Sequence, residues 1–285
     1  MTNKTEIRRL KNGNGIGKRT RLFVRIICMI LCILLLITVF SCCALLEISR
    51  IKRQTHRVIS EDEKARIYID QGHNPSQNHN TGAEGNGLFE QDLTFDIGLR
   101  LASLLEKDGR FEVCLSRPEK STVLGTDDIS SLKARVEGAK EFEADYFISL
   151  HINSFSQENV NGIEVFAYGE DSESYSFGSF LLQGMVDATK LNDRGMKESY
   201  DLYVLKNTAM PAVLLEMGFL SNPDDAALLK TTPELFAEGI YDGILNYFES
   251  AYSTEINTLL WIINISVSLA VALIITVFVI TKRRT

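Results

Sequence analysis

Cysteine is scarce outside one short stretch of the sequence, and no internal repeat or low-complexity tract is visible. Four of the five cysteines in the 285-residue chain fall between positions 28 and 43, and the fifth is Cys114. A lone cysteine cannot form an internal disulfide, so the polar part of the chain must be stabilised by a hydrophobic core. A stretch of about 190 residues is long enough to supply one.

Basic residues are missing from long parts of the chain and are concentrated near its two ends. The formal net charge is −7, but residues 1–25 contribute +7 and residues 281–285 contribute +3, which leaves −17 for the residues between them. So acidic a stretch repels the phosphate backbone of nucleic acids. The composition therefore predicts that nucleic acid is not a partner.

Charged residues are also missing from two long apolar segments, residues 26–46 and 259–280. Each has about 21 residues, and at about 1.5 Å per residue it can cross a hydrocarbon core of about 30 Å. The sequence predicts two transmembrane helices, and a cleaved signal peptide is the alternative for the first. The predicted parts of the chain are a basic tail (1–25), a transmembrane helix (26–46), a stalk (47–65), a globular domain (66–252), a second transmembrane helix (259–280) and a second basic tail (281–285).

Lys and Arg residues beside the two segments predict their orientation, because basic residues favour the cytoplasmic side. Residues 282–284 are all basic, whereas the twenty residues before the second segment contain no Lys or Arg. With two spans both ends share a compartment, so we expect a cell-membrane protein with both termini in the cytoplasm and residues 47–256 outside. Four basic residues between positions 50 and 57 oppose this orientation at the first segment.

Between the apolar segments, short apolar strands alternate with amphipathic helices. Strands separated by helices of 10–20 residues indicate an α/β domain with a mostly parallel sheet. The sequence predicts helices at 89–109, 127–144, 174–191 and 233–252. It predicts strands at 66–70, 111–116, 145–152, 162–168, 202–206 and 211–219.

Three of the predicted strands run into residues that can carry chemistry, namely His73, His151 and Glu216. In a parallel sheet these residues emerge on the same edge, where ligands gather in α/β proteins. Glu90 opens the helix that follows a Gly-rich loop. Two histidines and a carboxylate, with a further carboxylate nearby, are the components of a catalytic zinc site. The alternatives are a core histidine at His151 and a helix-dipole carboxylate at Glu90.

Several sequence motifs follow one another along the chain. In order, they are "YIDQGHN", "TGAEGNGLFEQDL", "DYFISLHINSF", "NGIEVF", "DRGMKESYDLYVLKNTAMPAVLLEMGFLSN" and "PDDAALL". Together they resemble a known family, the zinc-dependent N-acetylmuramoyl-L-alanine amidases that hydrolyse bacterial cell walls (Amidase_3). The resemblance covers about residues 66–250 and implies a twisted sheet of about six strands flanked by helices.

The resemblance also implies roles for individual residues. His73, Glu90 and His151 would bind the zinc ion, and Glu216 would be the catalytic carboxylate. Asn153 and Arg194 match positions near the cleft and are candidates for substrate binding, although each could equally be structural.

The first motif departs from the family, whose usual pattern reads Asp-Pro-Gly-His-Gly-Gly. Gln71 replaces the proline, and Asn74 and Pro75 replace the glycines, so the loop beside His73 could be shaped for a different substrate. Glu84 is a rival to Glu90 as the carboxylate ligand. His79, in a polar loop, is a weaker candidate for contact with the metal.

We therefore expect a zinc hydrolase that cleaves the amide bond between N-acetylmuramic acid and L-alanine in peptidoglycan. One alternative is a zinc amidase or peptidase that acts on another wall-derived peptide. The other is an inactive wall-binding membrane protein that retains the fold. The presence of all four candidate residues, His73, Glu90, His151 and Glu216, favours the enzyme.

Overall fold

The computed structural model describes residues 59–60, 63–76, 78–170 and 172–283, together with isolated positions between 24 and 43. Contacts divide the chain into two units, one of them Thr55–Ala251 and the other formed by Met1–Gln54 with Tyr252–Thr285. The predicted basic tail 1–25, the first apolar segment and the stalk lie largely outside the described residues.

A seven-stranded sheet forms the centre of the unit Thr55–Ala251, counted over the described residues. In chain order the described strands are β1 (Ile59–Ser60), β2 (Glu63–Gln71), β3 (Glu84–Gly85), β4 (Leu88–Phe89), β5 (Phe111–Leu115), β6 (Tyr146–Asn153), β7 (Ile163–Ala167), β8 (Asp193–Glu198) and β9 (Ala212–Phe219). The two-residue strands β3 and β4 pair with each other in a separate hairpin.

The sheet is mostly parallel, as the sequence predicts. The strand order is β1-β2-β6-β9-β7-β8. The short β1 pairs with the first two residues of β2, and β5 pairs with residues 65–69 of the same strand. Strands β2, β5, β6 and β9 run parallel, β7 is antiparallel to β9, and β8 is parallel to β7. The six longer strands confirm the predicted six-stranded α/β sheet, and β1 adds only two residues to it.

Helices cover both faces of the sheet. From residue 59 onward the described helices are α1 (Glu90–Asp108), α2 (Asp128–Glu141), α3 (Glu173–Thr189), α4 (Tyr203–Asn207), α5 (Pro223–Thr231) and α6 (Pro233–Arg283). The larger hydrophobic core lies under α1, α3, α5 and the first part of α6, and a smaller core lies on the other face under α2 and α4.

The helices begin and end where local chemistry favours it. Asp127 accepts a hydrogen bond from the backbone of Ser130, whose side chain accepts one in return, and this capping box starts α2. Gly109 ends α1 with φ of 78°, a left-handed conformation that glycine adopts without steric cost.

The prediction of a strand at 202–206 is wrong, because α4 occupies this segment. Val204 and Leu205 are consecutive and both buried in the smaller core. A helix can bury two consecutive side chains on one side, whereas a strand sends them to opposite faces. Strand β8 and helix α5 were not predicted from the sequence. Strand β8 lies at the sheet edge and is too polar, with the sequence DRGMKE, to show an apolar alternation.

The second predicted membrane segment, 259–280, lies within α6. Judged on the described residues alone, none of the helices combines the length and the apolar character that crossing a membrane demands. The two predicted spans therefore stay predictions.

Candidate metal centre and active site

The carboxyl ends of β2 and β6 bring the two predicted histidine ligands together. His73 lies two residues after β2, and His151 lies near the end of β6, which pairs in parallel with β2. Glu216 in β9 is the direct cross-strand partner of His151. The prediction that these three residues share one edge of the sheet is confirmed.

His73, Glu90 and His151 form a compact group that could hold a metal ion. One ligand atom from each residue lies within 4.8 Å of the others. Glu90 Oε1 is 3.1 Å from His73 Nε2 and 2.9 Å from His151 Nδ1. The two imidazole rings meet edge to face with their centroids 4.8 Å apart. A carboxylate and two imidazoles leave one position open in a tetrahedral site, which is the arrangement of catalytic zinc centres.

Backbone groups fix the Glu90 carboxylate in this cluster. Its Oε1 accepts a hydrogen bond from the Ile152 N–H at 2.9 Å, and its Oε2 accepts one from the Ala83 N–H at 2.8 Å. Burial by itself would raise the pKa of Glu90, but hydrogen bonds from His151 and His73 outweigh it and hold this pKa well below its usual value. Glu90 is therefore an anion at neutral pH, as a metal ligand must be.

His73 is held in place through its backbone. It has φ of 67°, an uncommon conformation for a residue other than glycine. Its carbonyl oxygen accepts hydrogen bonds from Arg117 Nη1 at 2.9 Å and from Arg135 Nη2 at 2.7 Å. Both arginines are almost completely buried. Nothing in the sequence pattern marks either arginine as part of the site.

The space around the three ligands fits a metal centre. His73 Nδ1 is buried and has no hydrogen-bond partner among the described residues. Gly82 lies against the cluster so closely that a Cβ atom there would come within 2.6 Å of Glu90 Oε2 and 2.8 Å of His73 Cδ2. Only glycine fits at this position without displacing a ligand.

Glu216 is half-buried beside the cluster, and its Oε2 is a buried oxygen. Its Oε2 makes no hydrogen bond within the part of the chain that the structure describes. Burial, and next the charges of Glu90 and Glu164, raise the pKa of Glu216 well above its usual value. A carboxyl group with a raised proton affinity, next to a metal site, suits general acid–base chemistry.

Asn153 and Arg194, the two candidates for substrate binding, share Glu164 as a partner, which was not predicted from the sequence. Asn153 Nδ2 donates to Glu164 Oε1 at 2.9 Å, and Arg194 Nε lies 2.9 Å from Glu164 Oε2. Glu164 is the cross-strand partner of Glu216. In the sequence, Glu164 is visible only as a charged residue within the apolar run IEVF, and this pattern does not identify its partners.

The structure leaves the two rival ligands outside the cluster. Glu84 is exposed in β3. His79 Nε2 lies 3.0 Å from the carbonyl oxygen of Leu124, in the neighbouring loop. Neither residue belongs to the His73–Glu90–His151 group.

The unusual residues in the first motif have structural contacts. Asn74 is buried, donates to the carbonyls of His79 and Leu124, and accepts from the Leu124 N–H. Gln71 is also buried, and its Oε1 accepts a hydrogen bond from the Arg117 N–H at 2.9 Å. These two departures from the family pattern join neighbouring loops and do not face the cleft.

A cavity of about 290 Å³ adjoins the two histidines. Most of the surface that its wall exposes is apolar, although polar and charged residues also line it, among them the exposed Asp201. It can receive part of a substrate bound at the metal centre. Its apolar lining residues are Leu132, Leu202, Val204 and Leu214.

The amino-acid sequence of this chain is similar to those of known amidases. Residues 67–246 match the family described as N-acetylmuramoyl-L-alanine amidase. The chain is 29% identical over 190 residues to the germination-specific N-acetylmuramoyl-L-alanine amidase of Bacillus subtilis, covering 64% of this chain and 79% of that protein. It is 34% identical over 194 residues to the N-acetylmuramoyl-L-alanine amidase CwlM of Bacillus licheniformis, covering 67% and 70%.

A solved structure shares the fold of this domain. The catalytic domain of CwlV, an N-acetylmuramoyl-L-alanine amidase from Bacillus (Paenibacillus) polymyxa, superposes with a TM-score of 0.57 and 32% sequence identity. The similarity covers 65% of this chain and 98% of that domain.

Proposed function

The chain belongs to the N-acetylmuramoyl-L-alanine amidase family, and from this premise we propose that it cleaves the amide bond between N-acetylmuramic acid and L-alanine in bacterial peptidoglycan with the help of zinc. The observation that carries the proposal is the cluster of His73, Glu90 and His151 beside the half-buried carboxylate of Glu216. Family membership alone would not require these four side chains to lie together.

His73, Glu90 and His151 would hold the metal ion. When bound, zinc polarises a carbonyl group and lowers the pKa of water, which is the chemistry that amide hydrolysis needs. Glu90 would contribute one negative charge to the site, and its Oε1 lies within 3.1 Å of the two imidazole nitrogens beside which the ion would be held. The two buried arginines keep the backbone of His73 in the conformation that points its ring toward Glu90.

Glu216 would move the proton. As a base it takes a proton from the attacking water, and as an acid it passes that proton to the nitrogen of the leaving L-alanine. This second transfer is essential because an amine anion is a very poor leaving group. A carboxyl group whose proton affinity is raised by burial is suited to both transfers.

The test is mass spectrometry of purified peptidoglycan after digestion by the purified full chain with added zinc. The expected products are stem peptides with a free N-terminal L-alanine and glycan strands that have lost their peptides. Cleavage at a bond inside the stem peptide would instead identify a peptidase, and no release of peptide from any preparation would identify an inactive wall-binding protein.

We also propose that two membrane helices, residues 26–46 and 259–280, hold the domain on the extracytoplasmic face of the cell membrane. The uncharged sequence of both segments and the basic residues 282–284 support this arrangement. It would place the metal centre on the same side of the membrane as the wall.

A further inference from the structure

One face of the sheet carries a row of ionisable side chains that starts at the metal centre. His151 in β6 pairs with Glu216 in β9, and Glu216 pairs with Glu164 in β7. Directly paired residues on neighbouring strands place their side chains on the same face, and in an antiparallel pair such as Glu216 and Glu164 the Cβ atoms are about 4.5–5.5 Å apart. Glu164 therefore lies beside the proposed acid–base residue, one strand further from the metal ligands.

The Glu164 carboxylate is buried, and both of its oxygens have partners. Oε1 accepts a hydrogen bond from the Asn153 side chain, and Oε2 accepts one from Arg194 Nε, each at 2.9 Å. Only 7% of the residue is exposed to solvent. A buried carboxylate next to a second carboxylate is costly unless a cation compensates it, and Arg194 is the cation bonded to it.

Part of the Arg194 guanidinium group contacts other protein groups, and the rest of it has no partner among the described residues. Its guanidinium group lies over the ring of Phe219, 4.9 Å from the ring centre, and its Nε is bonded to Glu164. Its Nη1 lies 3.5 Å from the carbonyl oxygen of Asn161, at the limit of a hydrogen bond. No hydrogen bond among the described residues uses Nη2, and 32% of the side chain is exposed.

We propose that Arg194, positioned by Glu164, binds a carboxylate group of the stem peptide beside the metal centre. This inference rests on the proposed amidase function. Glu164 is then a positioning residue that acts through Arg194, and Arg194 is the group that contacts the substrate.

The chemistry of the cleft favours an anion at this position. A guanidinium group whose Nε is already used can still offer its two terminal nitrogens to a carboxylate as a pair of parallel hydrogen bonds. Glu216 and Glu164 would otherwise repel an acidic peptide. The contact with Phe219 and the bond to Glu164 restrict the movement of the Arg194 side chain, so less conformational entropy is lost when the substrate binds.

The experiment compares two substrates that differ only in charge. One is purified peptidoglycan, and the other is the same peptidoglycan after its free carboxylates are converted to amides with carbodiimide and ammonia. The full chain, loaded with zinc, is assayed for peptide release at low substrate concentration, where the initial rate follows kcat/KM. We expect the wild type to release peptide from the unmodified substrate about tenfold faster, because a hydrogen bond to a charged group is worth about that factor.

Arg194→Gln should reduce this rate ratio to about one, and Arg194→Lys should retain part of it because the charge remains. Glu164→Gln should lower the ratio as well, with the zinc content unchanged. Arg100→Gln is the matched control, because Arg100 also pairs with carboxylates but on the outer face of α1. It should leave the ratio at the wild-type value.

Three results would overturn the proposal. One is a wild-type enzyme that cleaves both substrates at the same rate, and another is an Arg194→Gln variant that slows both equally. The third is a wild type that releases peptide from neither substrate, which would refute the amidase function itself and the inference with it. Arg194 is only partly buried, so Arg194→Gln tests the proposal independently of whether Glu164→Gln folds.

Discussion

Glu90 is a buried carboxylate and Glu216 a half-buried one in the same site, and their surroundings give them different tasks. Both oxygens of Glu90 accept hydrogen bonds, whereas Glu216 Oε2 has no partner among the described residues. We expect Glu216→Gln to retain zinc and the fold but to lose amide cleavage by a factor of at least about 100, the lower range for loss of a general acid–base group. Glu90→Gln should lose most of the zinc. Metal analysis and peptide release measured on the same preparations check both expectations.

The roles of the two residues would be exchanged if Glu216→Gln lost zinc while Glu90→Gln retained it. Glu84→Gln is the control variant, because Glu84 is an exposed carboxylate in the strand β3 just before α1 and lies outside the metal-binding cluster. It should retain both zinc and activity.

The raised pKa of Glu216 also predicts how stability depends on pH in protein stripped of metal by a chelator. Burial is the first cause of the shift, followed by Glu90 and Glu164. Above the usual carboxyl pKa of about 4.3 the unfolded chain releases this proton while the folded chain retains it. The folded state then binds more protons, so Glu216 lowers the free energy of unfolding as the pH rises toward its folded pKa.

Glu216→Gln removes this effect. The urea midpoint of the metal-free wild type should therefore fall relative to that of the variant as the pH rises above about 4.3, and the difference between the two should stop changing below that pH. If the urea midpoints of the two proteins changed with pH in the same way, the raised pKa of Glu216 in the folded state would be contradicted.

At the residue scale the sequence predicted the four residues that the structure brings together. His73, His151 and Glu216 are placed by the neighbouring parallel strands β2, β6 and β9, and Glu90 starts α1. The apolar runs and the Gly-rich loop mark these positions in the sequence. Glu164 was missed because its importance comes from strand register. Only the pairing of β7 with β9 places it beside Glu216.

The loop between β2 and α1 depends on a buried ion pair. Arg135 in α2 is bonded to the Asp70 carboxylate and to the carbonyl oxygens of Gln71 and His73. Arg135→Met would leave Asp70 as an uncompensated buried charge, which costs about 3–5 kcal/mol. We expect the free energy of unfolding in urea to fall by about that amount, and zinc affinity to fall as well because His73 loses one of its two arginine contacts.

An exposed ion pair in the same domain provides the contrast. Glu143 accepts a hydrogen bond from Arg66, but 82% of its side chain is exposed. Glu143→Gln should change the free energy of unfolding by no more than about 1 kcal/mol. Equal losses in Arg135→Met and Glu143→Gln would show that the buried arginine has no special role.

At the scale of elements, prediction succeeded where the apolar pattern was strong and failed where it was weak. The strands β2, β6 and β9 are buried on both faces and read as continuous apolar runs. The segment 202–206 has the same apolar character, but five residues are too few to distinguish a strand from a short helix by pattern. The edge strand β8 carries mostly polar residues, so no apolar pattern marks it.

At the scale of the whole molecule, the distribution of charge predicts where the domain lies. The basic residues 282–284 should remain in the cytoplasm, because a lysine or arginine in the centre of a membrane helix costs about 2.5–3.5 kcal/mol. An amidase of peptidoglycan must present its metal centre on the other side. The segment 26–46 must then cross outward, despite the basic residues between positions 50 and 57 that follow it.

Cysteine labelling in intact cells tests this topology. The five native cysteines are first replaced by alanine, and single cysteines are introduced by Thr2→Cys, Ser176→Cys and Thr285→Cys. Ser176 lies exposed on α3 of the domain. A membrane-impermeant thiol reagent should label the variant at position 176 and should label those at positions 2 and 285 only after the cells are lysed.

The other labelling patterns separate the remaining arrangements. Labelling at position 285 but not at 176 would place the domain in the cytoplasm, where it could meet only fragments of the wall and not the wall itself. Labelling at both 176 and 285, but not at 2, would mean that residues 259–280 do not cross the membrane and that the first segment alone anchors the chain. The amidase chemistry of the metal centre would survive this last result, because none of its residues lies beyond position 216, whereas a cytoplasmic domain would change the substrate that the centre can reach.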